Sequence, residues 1–532
     1  MRQFLFLPLI FCHWQGRFIK TAIEYTTIYT AMNSHIKQLV ILGGGSAGWM
    51  TAAMLSKQLG KAVAITLIES EQIGTVGVGE ATIPPIQNFN KLLEIDENEF
   101  LSQCNGSIKL GIEFENWRRT NHKYMHPFGR FGLDFDYMPF PYFWLQAKLQ
   151  GHKSELEQYS LAWQLANKNK FTPSGVIDSP LASTFDHAYH FDATLYAAYL
   201  RQYAEHRNVT RVEGIVEQVK KNPDTGFIEH LILSNGQTIE ADFFIDCSGQ
   251  RALLIGDELN EPLEDWSEYL FNDSAVAIQT AHMKSVSPYT RSIAHHAGWQ
   301  WRIPLQTRMG NGNVYCSEFM NKDEAEQKLL DDVDGPTLTE PNHIRFRTGV
   351  RQQSWKHNCV AIGLSAGFLE PLESTSLHLI QSAIMRLVRL FPDRHCHTLL
   401  QQEFNRETYL EYVRIRDFIV LHYKATERDD SEYWRRCREM DIPESLQQRL
   451  ELFKQHGHLS IHDKELFKHD NWLAVLVGQG VMPEDVAPVL LGKNQLDLDK
   501  SLASLSAQLE KLAANSLSHE MYLMKHCAHK PK

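Results

Sequence analysis

The chain has 532 residues, 43% of them hydrophobic and 22% charged, and a formal net charge of −11. That length predicts two structural modules, because a single core stops growing near roughly 250–300 residues. The acidic balance, with basic residues only scattered, argues against a nucleic-acid or anionic-membrane partner and leaves small organic substrates.

The eight cysteines form neither a CxxC pair nor a disulfide framework, which points to a reducing cytoplasm. The runs His395-Cys396-His397 and His526-Cys527-Ala528-His529 lack a second ligand pair at zinc spacing, so no metal is expected.

Residues 4–12 form an apolar run after Arg2, but no small-residue cleavage site follows and the run is too short to span a bilayer. Residues 1–31 are therefore expected to be an extension, disordered or a misassigned start, with Met32 opening the folded chain. Residues 38–42 read as a buried parallel strand, Gly43-Gly44-Gly45-Ser46-Ala47-Gly48 as a tight turn, and 49–59 as the helix that follows. A second strand over 64–68 ends at Glu69, where an acid binds ribose hydroxyls. This is the start of a Rossmann-like unit, whose glycines admit a pyrophosphate to the free amides of a helix N-terminus. The loop alone does not separate FAD from NAD. A later strand ending in Asp246-Cys247-Ser248-Gly249 resembles the second FAD-side segment of flavin monooxygenases, which favours FAD.

Several further segments carry chemistry. Val76-Gly77-Val78-Gly79-Glu80-Ala81-Thr82-Ile83-Pro84 is a glycine-punctuated loop. Asn105-Gly106-Ser107-Ile108-Lys109-Leu110-Gly111-Ile112, followed by Phe114, Asn116, Trp117 and Arg118, sets one lysine in a weakly charged stretch. Taken alone, such a lysine is ordinarily a solvated charge. His126-Pro127-Phe128-Gly129 and His187-Ala188-Tyr189-His190-Phe191-Asp192-Ala193 follow, then Gly298-Trp299-Gln300-Trp301-Arg302-Ile303-Pro304, whose tryptophans serve equally as core residues. Gly363 opens a run through Phe368-Leu369-Glu370-Pro371-Leu372-Glu373-Ser374-Thr375-Ser376 that also reads as a capped helix start. Charged helical patterns dominate from Asp393 onward and include Asp429-Asp430-Ser431-Glu432-Tyr433-Trp434 and Trp472.

In this order, the segments resemble the flavin-dependent halogenases of the tryptophan halogenase family. The resemblance implies an α/β fold in two parts. A Rossmann-like FAD-binding module of the flavin monooxygenase type would span 32–116 and 192–390, and a second, mainly helical substrate module 117–191 and 391–532. It implies FAD, used as FADH2, at Gly43, Gly45, Ser46, Ala47, Gly48, Glu69, Gly79, Glu80, Ala81, Thr82, Asp246 and Gly363, with 76–84 as a strap between flavin and active site. Halide would bind at the amides of Thr375 and Ser376. Lys109 would turn hypohalous acid into a positioned electrophile, and Glu373 would stabilise the attacked ring and accept its proton, with Glu370 structural. Trp299 and Trp301 would deny an arene room beside the flavin and so block hydroxylation. His126 and Phe128 would sandwich the substrate ring, and Trp472 would stack on it or merely pack its helix.

A separate NAD(P)H-dependent flavin reductase is implied as partner, since the sequence offers no second glycine-rich nucleotide site. Departures from the tryptophan-specific members point to another arene. Ser376 stands where those carry Gly, and Ser460, Ile461 and Phe467 fall where they hold the amino acid's charged end. The substrate expected is indole or an indole derivative, with chloride or bromide as co-substrate. Two other readings stay open: a single-component flavin monooxygenase hydroxylating an aromatic compound, and a non-catalytic FAD-binding regulatory or scaffold protein.

Overall fold

The computed structural model describes residues 34–73, 79–135, 137–282, 285–486, 490 and 497–530. The N-terminal stretch 1–31 and the strap residues Val76, Gly77 and Val78 lie outside the described residues. The chain opens with β1 (Gln38–Leu42), α1 (Ser46–Leu59) and β2 (Ala64–Glu69). Two short strands, β3 (Gly79–Ala81) and β4 (Ser107–Lys109), precede the hairpin β5 (Gly111–Glu115) and β6 (Lys123–Pro127). Then come β7 (Ala188–Asp192), β8 (Thr210–Glu213), β9 (Phe243–Asp246), β10 (Ser274–Ala281), β11 (Thr290–His295), β12 (Gly298–Pro304), β13 (Arg308–Tyr315), β14 (Asn342–Arg345) and β15 (Cys359–Ala361). The C-terminal part is mainly helical and includes α2 (Ser376–Arg389), α3 (Thr398–Lys424), α4 (His469–Gly478) and α5 (His519–His526).

Three sheets position the site. In the first, β15, β9, β1, β2 and β8 run parallel in that spatial order, with Leu39 opposite both Phe243 and Ile65. The apolar run of β1 is buried on both faces, as a parallel strand under helices requires. The second sheet has seven strands in the order β14-β10-β13-β12-β11-β5-β6, antiparallel except where β11 runs parallel to β5. The third is small and antiparallel, in the order β3-β7-β4. It joins three of the sequence segments, because Ala81 and Ser107 both face His190, from opposite sides of β7.

The module boundary expected at 116/117 falls in the turn of the β5–β6 hairpin. Both strands belong to the seven-stranded sheet, with Gly111 opposite Pro127. One hydrophobic core runs from Leu39 in β1 through Trp299 in β12 to Trp472 in α4, so the helical part shares its interior with the sheets.

Candidate active site

The loop between β1 and α1 has the shape of a dinucleotide cradle. Gly43 has φ +115°, and a Cβ there would lie 2.2 Å from the carbonyl oxygen of Cys247. At Gly48 it would meet the Gly43 oxygen at 1.8 Å. A Cβ on Gly45, by contrast, would meet nothing within 4 Å, and no side chain caps the N-terminus of α1. Open space in front of uncapped helix amides, between Ser46, Ala47 and Gly48, is what a pyrophosphate needs, so the residues present fit the flavin nucleotide. Gly363, with φ +79°, closes on Ala47 from the other side. Glu69 sits at the end of β2, accepting from the Trp49 indole N–H at 3.2 Å and paired with Arg211.

Two of the expected cofactor residues are oriented otherwise. Asp246 is fully buried and its carboxylate is consumed within its own turn, accepting from Ser248 N–H and Oγ, Leu254 N–H and Ile255 N–H at 2.6–2.9 Å. The acid that ends β9 therefore caps the following helical turn. Thr82 turns its hydroxyl to β7, donating to the Tyr189 carbonyl at 2.8 Å and accepting the Tyr189 N–H at 3.0 Å. Gly79, Glu80 and Ala81 form β3 itself. A Cβ on Gly79 would press on the end of the Leu305 side chain at 2.8 Å, and burial pushes the Glu80 carboxyl up to about 7.

Lys109 and Glu373 are brought together. Lys109 is wholly buried, its Nζ donating to Ser374 Oγ at 2.8 Å and lying 5.2 Å from the centre of the Phe128 ring. Burial lowers its ammonium to about 7, with nearby Glu373 opposing the shift. Glu373 ends the turn Pro371–Glu373, and Ser374 takes a left-handed backbone conformation at φ +57°. This sharp reversal leaves Ser374 Oγ on Lys109 while the Glu373 carboxylate meets His126 and His422. Thr375 is buried with its hydroxyl unpartnered, and α2 starts at Ser376 without a side-chain cap, which leaves amides free for an anion such as halide.

The Glu373 carboxylate is held between two histidines. Asn471 Oδ1 accepts the Lys468 N–H at 2.7 Å, so its Nδ2 donates to His126 Nε2 at 2.9 Å. His126 must then carry its proton on Nδ1, which donates to Glu373 at 2.9 Å. On the other side, His422 Nδ1 donates to the Phe418 carbonyl at 2.9 Å, and its Nε2 lies 2.8 Å from Glu373 Oε1. Burial alone would raise the carboxyl, but His126 and His422 outweigh it and hold Glu373 down at about 2.

His422 and Asn471 were not singled out in the sequence. The available signal was a lone histidine inside the apolar run Phe418-Ile419-Val420-Leu421-His422-Tyr423 of an otherwise charged helix.

Glu370 is built into the fold. Asn272, Tyr423 and the indole N–H of Trp299 all donate to its Oε2. Trp299 is thereby fixed, and Trp301 fills the space over Gly312. Trp472 is buried, with the Arg449 guanidinium 4.2 Å over its ring and Phe418 edge-on at 5.0 Å, an arrangement that matches helix packing. Phe467 stacks on Phe418 at 3.9 Å, while Ser460 is exposed and Ile461 half-buried.

A family model described as tryptophan halogenase matches residues 38–495. The tryptophan 6-halogenase SttH of Streptomyces toxytricini is 38% identical over 483 residues, 85% of this chain and 91% of that protein. Among solved structures, Xcc4156, a flavin-dependent halogenase from Xanthomonas campestris, superposes with a TM-score of 0.90 at 42% identity, over 94% of this chain and all of the other. BrvH, a flavin-dependent halogenase from Brevundimonas sp. BAL3, gives 0.88 at 41% identity, over 92% of this chain and 99% of the other.

Proposed function

The chain belongs to the tryptophan halogenase family, and from that premise we propose that it is an FADH2-dependent enzyme that oxidises chloride or bromide and halogenates indole or an indole derivative through Lys109. At the coarser level, it is a flavin-dependent halogenase of aromatic substrates. When bound, the reduced flavin supplies the electrons with which O2 converts halide to hypohalous acid. A separate NAD(P)H-dependent flavin reductase delivers that flavin.

The observation that carries the reading is the buried Lys109–Ser374 hydrogen bond beside a carboxylate clamped by His126 and His422. Gly45 and the first amides of α1 hold the pyrophosphate, and those of Thr375 and Ser376 the halide. Trp299, anchored by Glu370, and Trp301 keep an arene away from the flavin side. An amine lowered to about 7 has an appreciable neutral fraction at working pH, so Lys109 takes up the halogen from hypohalous acid and presents it at one place. Beside His126 and Phe128 the ring carbon is attacked, and Glu373, ionised and aimed at the same space, receives the departing ring proton.

Substrate preference rests on Phe467. An apolar stack occupies the place where an amino acid's charges would need partners, and burying such charges unpaired costs several kcal/mol. The test is mass spectrometry of indole incubated with the protein, FAD, NADH, a flavin reductase and chloride or bromide. A halogenated product that requires the reductase supports the reading. NADH consumption and a hydroxylated product without reductase would replace it with a monooxygenase.

A further inference from the structure

Strand β4, which carries Lys109, is the edge strand of its three-stranded sheet. Its inner side pairs with β7, but its outer N–H groups need other acceptors. Leu110 N–H finds the Pro288 carbonyl at 2.8 Å. Ile108 N–H, next to the lysine, donates to the ring Nε2 of His519 at 3.1 Å. His519 is wholly buried, and its other nitrogen donates to the Val286 carbonyl at 2.8 Å, which fixes Nε2 as the acceptor. Glu520, the next residue, accepts the Val286 N–H at 3.2 Å, so the start of α5 grips both backbone groups of one residue.

The C-terminal tail completes the hold. Gln306 donates to the carbonyls of Gly106 and Cys527 and accepts the His529 N–H, and Ser102 Oγ donates to the Ala528 carbonyl. All of these C-terminal residues lie beyond 38–495, the span the family model matches.

We propose that His519 is a positioning residue for Lys109: as the acceptor for Ile108 N–H it fixes the register of the edge strand, and so the place where the amine meets hypohalous acid and arene. This rests on Lys109 being the halogen carrier. A buried N–H deprived of its acceptor has to find another, and an edge strand finds one by shifting. Misplacing a reacting group by about 1 Å costs on the order of 10²-fold, and a partial shift correspondingly less. The oxidation of halide, which takes place beside α1 and α2, does not use β4. Loss of His519 should therefore uncouple the two stages.

The test uses the full chain with FAD, a flavin reductase, NADH, bromide and indole. Aryl bromide and free hypobromous acid, captured by a 1,3-diketone trap, are measured in the same reaction. His519→Leu is expected to lower aryl bromide about tenfold while trapped hypobromous acid rises and their sum stays near wild type. His519→Gln, whose amide oxygen reaches the Ile108 N–H, should restore most of the coupling, whereas His519→Asn, which reaches only toward Val286, should not. If His519→Leu does not fold, the Gln and Asn variants carry the same comparison. Unchanged coupling in His519→Leu, a parallel loss of aryl bromide and trapped oxidant, or a Gln variant as uncoupled as Asn overturns the proposal. Lys109→Ala is run alongside. If it keeps its aryl bromide, the underlying reading of Lys109 fails and takes this one with it, whereas a defective Lys109→Ala beside a normal His519→Leu rejects His519 alone.

Discussion

Lys109 Nζ donates a 2.8 Å hydrogen bond to Ser374 Oγ, the side chain directly after Glu373. One turn of backbone thus presents the lysine's partner and the carboxylate side by side, and both residues are buried. Lys109→Ala should abolish aryl halide while leaving FAD binding and the oxidation of halide intact, read as trapped hypohalous acid without aryl product. A product yield near wild type would remove Lys109 from the mechanism.

The buried amine also gives a pH signature. Its folded value of about 7 lies below the ordinary 10.5, so between these limits the unfolded chain binds the extra proton and stability rises with pH. Lys109 therefore destabilises the protein at neutral pH, and Lys109→Met should raise Tm at pH 7 but progressively less toward pH 10. In the wild type, aryl product per reduced flavin should rise through about pH 7 as the neutral amine is populated. A yield that falls over that range would assign the work to the ammonium.

Glu373→Gln should slow aryl halogenation by about 10²-fold or more, the scale of a lost general base. Glu370→Gln should cost less in rate, since Glu370 acts on Trp299 and not on the arene. Equal small losses in both would reject the assignment. Because burial is outweighed by His126 and His422, the Glu373 contribution to stability is complete above the ordinary 4.5 and is lost only as pH falls toward about 2.

His422→Phe removes one of the two groups that hold Glu373 ionised. The carboxyl should then titrate higher, moving the Glu373-dependent acid loss of rate upward from about pH 2 by at least one pH unit. A profile that coincides with wild type would show that His422 is only a packing residue.

The glycine loop separates fold from cofactor. Gly45→Val places its side chain in open space, so the protein should fold with an unchanged far-ultraviolet spectrum yet bind FAD at least tenfold more weakly by fluorescence titration. Gly43→Ala, driven against the Cys247 carbonyl at positive φ, should instead reduce soluble yield.

Under the proposed assignment, which sets the Phe467–Phe418 stack where a zwitterion would require charge partners, indole should be halogenated at least tenfold faster than free tryptophan under one flavin supply. Efficient, regioselective conversion of tryptophan would overturn this preference.

The nucleotide half of the fold was legible because its signals are local: an apolar strand, glycines in register, and an acid at the end of the second strand. Lys109 and Glu373 were legible only through resemblance, since nothing within a few residues of either shows that distant segments bury them together. What escaped was long-range by nature. His422 reads as one more residue of a charged helix until α3 is laid against Glu373, and the pairing of Ala81 and Ser107 with His190 across β7 has no local trace. Asp246 and Thr82 were placed at the cofactor on motif alone. Their hydroxyl and carboxylate satisfy neighbouring backbone instead, and a motif does not say in which direction a side chain points.

Phe467, Ser460 and Ile461 ride on residues 457–468, a stretch without helix or strand, whereas Lys109 and Glu373 are fixed by a sheet and a tight turn. In the proposed reading, halogen transfer and choice of arene are therefore carried by separable parts of the polypeptide. On that reading, variation confined to these dozen irregular residues should retarget the enzyme toward new ring systems without disturbing Lys109 and Glu373, which makes that stretch the place to begin directed evolution.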